Sequence, residues 1–128
     1  MDSVHIHARP HETTGATVLT VHGFLDTATS VELEKELQRV LRARCWRVVI
    51  DLSGVDYISS AGWGIFLSEI RHIRQQGGDL RLVGMKPEVY EVYELLEFRS
   101  VIGHFANLEG ALSGFSPVSQ VPESNLTG

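Results

Sequence analysis

Two adjacent hydroxyls, Ser59 and Ser60, stand in the segment YISSAGWGIF at residues 57–66 and are followed by Ala61, Gly62 and Gly64, which carry almost no bulk. Behind them Trp63, Phe66, Leu67, Ile70 and Ile73 recur at the spacing of one helical face. The serines therefore fall at a helix N-terminus, where unpaired N–H groups and about half a positive charge collect. One role for a serine there is structural: its oxygen caps an N–H, worth about 1 kcal/mol. The other is chemical. A phosphate on such a serine sits among donors and near the positive end of a dipole, so the fold tolerates it. It also adds about two negative charges to the outward surface. The small residues leave the hydroxyl unobstructed and let a partner's backbone approach closely. Tight packing of the helix on a sheet accounts equally well for at least one of the glycines.

Asp26 and Asp56 lie just ahead of helical segments and add negative potential near the serines. Each also has a plain role, Asp26 as the cap of a helix over 27–43 and Asp56 as a turn residue. Trp63 belongs to the apolar stripe, so it reads as core, with an exposed interface anchor as the alternative.

Other reactive residues form weaker patterns. His5, His7 and His22 could share one face of a hairpin and hold a metal, but no carboxylate or cysteine ligand accompanies them. Ser60 has no G-x-S-x-G elbow around it, and no G-x-x-x-x-G-K-[ST] string is present. Cys45 is the single cysteine, so it forms no internal disulfide and reads as a small half-buried residue in a reducing compartment. The expectation is a protein that is not an enzyme, with no metal and no cofactor.

The elements that must position the serines follow from periodicity. SVHIHA alternates, and ATVLTVHG at 16–23 is rich in β-branched residues, so the two read as a hairpin joined by HETTG. Leu33, Leu37, Val40 and Leu41 mark a first helix, with Thr29 and Glu32 at capping-box spacing. CWRVVIDL at 45–52 is the nearly unbroken apolar run of a central strand, and a loop is expected over 53–64 before helix 61–76. Gly77 ends that helix, LRLVGM at 80–85 is another strand, and Pro87 opens a third helix. SVIGHF is a short edge strand and NLEGALSG a last helical turn or two. Strands alternating with helices give an α/β fold: a mixed sheet of about four to five strands, an N-terminal hairpin then parallel strands, packed with about four helices. In such sheets the loops at the carboxyl ends of strands form the usual functional edge, and both serines fall there.

Composition sets the outer bounds. The 128 residues suit one domain, 43% are hydrophobic and 21% charged, and the net charge is −5. Arg39, Arg42, Arg44 and Arg47 are spread over a helix end, where they offset its dipole, so a nucleic-acid surface is not expected. No run approaches the ~20 apolar residues of a membrane span, and no signal region opens the chain. A soluble cytoplasmic protein is expected, with a domain over 1–113 and a disordered Ser/Pro/Gly-rich tail over 114–128.

The string VVIDLSGVDYISSAGWGIFLSEIRHIRQQGGDLRLVG resembles the signature of the STAS domain, found in anti-sigma factor antagonists and in cytoplasmic domains of anion transporters. LTVHGFLDTATSVELEKEL is similar to the family's upstream strand and first helix, and MKPEVYEVYELLEFRSVIGHFANLEGAL to its closing elements. The resemblance spans residues 4–113. It implies a partner-switching signalling protein that regulates transcription by binding an anti-sigma factor that is also a serine kinase. Phosphorylation of one serine breaks that complex, and a serine phosphatase resets it. The family's usual string, Asp-Ser-(Ser/Thr/Ala)-Gly-Leu-Gly, aligned on Gly62 and Gly64, puts the phosphoacceptor at Ser60, with Ser59 the runner-up. Ser59 stands where many antagonists carry Asp, and Trp63 where Leu is usual. The implied partner surface is Asp26, Ser59, Ser60, Ala61, Gly62, Trp63 and Gly64. A homodimer is left open. The alternative is a docking subunit of a transport complex, of ABC-type lipid or anion transport, working without phosphorylation.

Overall fold

A computed structural model describes residues 3–115. The elements are β1 (Val4–His11), β2 (Ala16–Leu25), α1 (Ser30–Arg42), β3 (Arg47–Ile58), α2 (Ser60–Gln75), β4 (Asp79–Val83), α3 (Pro87–Leu95), a 3-10 turn (Phe98–Ser100), β5 (Gly103–Phe105) and α4 (Leu108–Leu112). They build the expected α/β fold, a five-stranded mixed sheet in the order β1-β2-β3-β4-β5. β1 and β2 are antiparallel, and all later pairs are parallel.

The hairpin turn is closed by Gly15, at φ +74, whose N–H donates to His11 O at 2.8 Å. Only glycine adopts that φ without strain. β1 alternates as its sequence does, with Val4, Ile6 and Ala8 packed toward the core and His5, His7 and Arg9 exposed. His5 pairs in register with His22, on the outer face.

The pleat divides the sheet between two hydrophobic layers. Leu19 and Val21 of β2, and Val48, Ile50 and Leu52 of β3, point toward α1, α2 and α3 and join Leu33, Leu37, Phe66, Ile70, Ile73 and Tyr93. Val18, Val49 and Val83 point the other way, under Ala111 and Leu112 of α4. Phe115, placed by sequence in the tail, packs against this second layer with the Arg81 guanidinium 3.9 Å from its ring centre. The rest of the expected tail, 116–128, lies outside the described residues.

β3 departs from the sequence reading. The expected loop over 53–64 does not form; the strand continues to Ile58. Register shifts against β2 occur between Thr20 and His22 and between Gly23 and Phe24. They move the inward positions to Leu52, Val55 and Ile58, a spacing of three that hides the strand from a period-two search. Gly54 belongs to this irregularity: a Cβ there would lie 2.1 Å from His22 Nδ1.

Candidate functional site

β3 and α2 are joined through Ser59 alone. Its backbone is extended, at φ −79 and ψ 172. Its N–H donates to Leu25 O at 2.7 Å, carrying the β2–β3 ladder one step further. Its side-chain oxygen accepts from Gly62 N–H at 3.4 Å, and its carbonyl accepts from Trp63 N–H at 3.1 Å. Ser59 is only 9% exposed, so it is the helix cap, buried and committed. Ser60, the first residue of α2, is exposed.

The residues after the serines divide by position. Gly62 is buried; a Cβ on it would come within 2.8 Å of Ile58 Cγ2 and 3.3 Å of Ser30 Oγ. It is therefore a packing glycine that lets the first turn of α2 lie against β3 and α1. Gly64 is exposed, and a Cβ there would meet nothing within 4 Å. Ala61 is half-buried. Trp63 is 3% exposed and packs against Phe98, Phe66 and Tyr93, with ring centres 5.1, 5.8 and 6.3 Å away. The alternative of an exposed interface anchor at Trp63 is corrected accordingly: its indole fills the space between α2 and α3, and only an edge of it lines a slot beside β3.

Asp26 follows Leu25, which pairs with Ile58, so it lies on the same sheet edge as Ser59. Its Oδ1 accepts from Thr29 N–H at 2.8 Å, and its own N–H donates to Thr29 Oγ1 at 2.9 Å. The Thr29 hydroxyl donates to Phe24 O at 2.6 Å. The Thr29 amide, and after it the Thr29 hydroxyl, hold the Asp26 carboxyl below the usual carboxylate range. This pairing replaces the expected Thr29–Glu32 capping box, because Thr29 Oγ1 turns back toward β2. Asp56 is exposed but ion-paired with Lys86 at the start of α3, which offsets part of the negative potential expected of it.

Two residues of this edge escaped the sequence reading. Phe24 and Tyr57 sit opposite each other at the ends of β2 and β3, 40% and 49% exposed, with ring centres 6.3 Å apart. They stand one position before the Leu25–Ile58 pair. The signal is an aromatic residue just ahead of each strand's last core residue, and it acquires meaning only once the bulged register is known. The edge thus combines an exposed hydroxyl, a carboxylate held ionised and an exposed aromatic pair, the equipment of a docking surface.

Among the described residues no helix is long and apolar enough to cross a membrane. Over residues 7–111 the chain matches the model of the STAS domain. It is 36% identical over 101 residues to a Bordetella bronchiseptica protein named as an anti-sigma factor antagonist, BtrV, covering 79% of this chain and 87% of the relative. The crystal structure of an anti-sigma factor antagonist from Mycobacterium paratuberculosis superposes with a TM-score of 0.79 at 23% identity, over 88% of this chain and 93% of that one. SpoIIAA, an anti-sigma factor antagonist, superposes in its unphosphorylated form with a TM-score of 0.72 at 16% identity, over 93% of this chain and 100% of that one. Its phosphorylated form, from Bacillus, superposes with a TM-score of 0.66 at 15% identity, over 86% and 98%. A family model matched over most of the chain and a relative above 30% identity have one outcome: the chain belongs to the STAS domain family.

Proposed function

We propose that this protein is an anti-sigma factor antagonist of the cytoplasm, switched at Ser60. Unmodified, it binds an anti-sigma factor that is also a serine kinase and so frees a sigma factor. Phosphorylated, it is released, and a serine phosphatase restores it. The observation that carries this reading is the division of labour between the two serines: Ser59 is buried with its oxygen on Gly62 N–H, and Ser60 is exposed at the first residue of α2. The names of its relatives supply the partner class.

The energetics favour a switch that leaves the domain folded. In the kinase complex, Ser60 Oγ attacks the γ-phosphorus of the kinase's ATP. ADP departs, and the hydroxyl proton passes to a base of the kinase. The new dianion stays in water near the positive end of α2, where it is tolerated. Pressed against a partner it would lose that water beside the ionised Asp26, and like charges at an interface cost several kcal/mol. Each 1.4 kcal/mol is a factor of ten in affinity. The test mixes the protein with its cognate kinase and ATP and maps the phosphate by mass spectrometry. Label is expected on Ser60 in the wild type and in Ser59→Ala. Ser60→Ala is expected to stay unlabelled and bound to the kinase; labelling of that variant to the wild-type extent would overturn the assignment.

A further inference from the structure

β3 outruns its neighbour on one side. β4 pairs with it only from Arg47↔Asp79 to Asp51↔Val83. Among the described residues its only strand neighbour from Leu52 to Ile58 is β2, and past Gly84, which lies against Ser53, no backbone pairs with its other side. A strand edge without a neighbour offers N–H and C=O groups at fixed spacing, a template for one more strand. Next to this edge, between β3 and α3, lies a slot of about 80 Å³. Ile58, Trp63, Val89 and Val92 supply its apolar lining, and Tyr57 and Glu88 stand at its exposed side. Trp63 also keeps its indole N–H buried without an acceptor. An apolar cavity of about 150 Å³ holds a benzene ring, so this slot suits one branched aliphatic side chain.

We propose that the partner docks here by strand addition: an extended segment lies along residues 54–58 of β3 and seats one Val, Ile or Leu side chain in the slot between Tyr57 and Val92. The backbone edge dictates the extended conformation, and the size of the slot dictates the side chain. Charge dictates what flanks it. Asp56 is met by Lys86, but Glu88 and Glu91 on the outer side of α3 are exposed and take part in no ion pair among the described residues. A Lys or Arg next to the aliphatic residue complements them. This inference rests on the reading above in one respect, that the occupant belongs to the anti-sigma factor. It explains why Tyr57 and Val92 are left 49% and 38% exposed.

Hydrogen exchange on the complex with the anti-sigma factor identified in the phosphorylation test decides it. Amides from Gly54 to Ile58 are expected to exchange at least tenfold more slowly in the complex than in the free protein. Val92→Glu, a change at an exposed position that leaves the melting temperature near that of the wild type, is expected to weaken binding at least tenfold. A complex that forms and phosphorylates Ser60, yet leaves exchange over 54–58 unchanged and binds Val92→Glu as tightly as the wild type, overturns strand addition and leaves the switch standing. Failure of any complex to form defeats the switch, and strand addition with it. Protection of 54–58 that rises with protein concentration alone would assign the edge to a second copy of this chain and overturn the proposal.

Discussion

The starts of α1 and α2 lie side by side on neighbouring strands, at one edge of one sheet, and they are closed in different ways. At α1, Asp26 and Thr29 bond each other reciprocally, and the Thr29 hydroxyl is tied to Phe24 O. At α2, a single side-chain contact of 3.4 Å does the capping, and the next residue, Ser60, faces solvent. Both ends satisfy the same need, that of the unpaired N–H groups of a first turn. The first is bound through a network, which resists change. The second is held by the fit of Gly62 against β3 and α1 and leaves its hydroxyl available. A helix start held by packing has its polar atoms to spare for chemistry; one held by hydrogen bonds does not.

Four perturbations break or sharpen that contrast. The largest effect is expected at Gly62. Gly62→Ala drives a Cβ to 2.8 Å from Ile58 Cγ2, a stiff β-branched side chain. Overpacking of this kind costs about 1–3 kcal/mol, readable from urea unfolding. Gly64→Ala has the opposite sign: with nothing within 4 Å of its Cβ, it gains helix propensity of up to about 1 kcal/mol. Two shifts of the same sign would show that fit is not what closes α2. Thr29→Val comes next. It leaves Asp26 N–H and Phe24 O without their partner, a loss of about 1–2 kcal/mol, visible as a lower melting temperature. Ser59→Ala is milder, at or below about 1 kcal/mol, because the bond it removes is long. A larger loss at Ser59 than at Thr29 would reverse the ranking of the two ends.

The smallest effect comes from acid. The Asp26 carboxyl is held below its ordinary value of 3.8. Its contribution to folding is therefore complete above that value and is lost as pH falls through the lower, folded value. Amide exchange corrected for its intrinsic rate, followed as pH falls from about 5 to progressively further below the carboxyl's ordinary value, should show the first turn of α1 losing protection before that of α2.

How much of this could be read in the sequence depends on how local each signal is. The hairpin, the helix stripes and the serine–glycine segment are local, and periodicity exposes them. β3 beyond Leu52 was hidden, because β3 itself carries an extra residue at each register shift against β2, which displaces its inward residues to a spacing of three. The capping of α1 was half legible: Thr29 has Glu32 three residues ahead and Asp26 three behind, and only the direction of its hydroxyl chooses between them. For Trp63 the helical stripe favoured the core, and the three aromatic neighbours that enclose it come from distant segments and from its own helix. Phe24 and Tyr57 are thirty-three positions apart in number but paired in space, a fact of register.

The clasp of Arg81 on Phe115 has a practical consequence for anyone who wishes to watch this protein at work. Arg81, Phe115 and the first residues of β3 and β4 gather at the amino ends of the parallel strands, whereas Ser60 lies past their carboxyl ends. A fluorophore or affinity handle joined directly after Phe115 thus starts from the pole remote from the serine edge. It reports on complex formation without shading the surface where the complex forms. Shortening the chain to Gly114 would forfeit that anchor and remove one of the side chains that pack against the second hydrophobic layer.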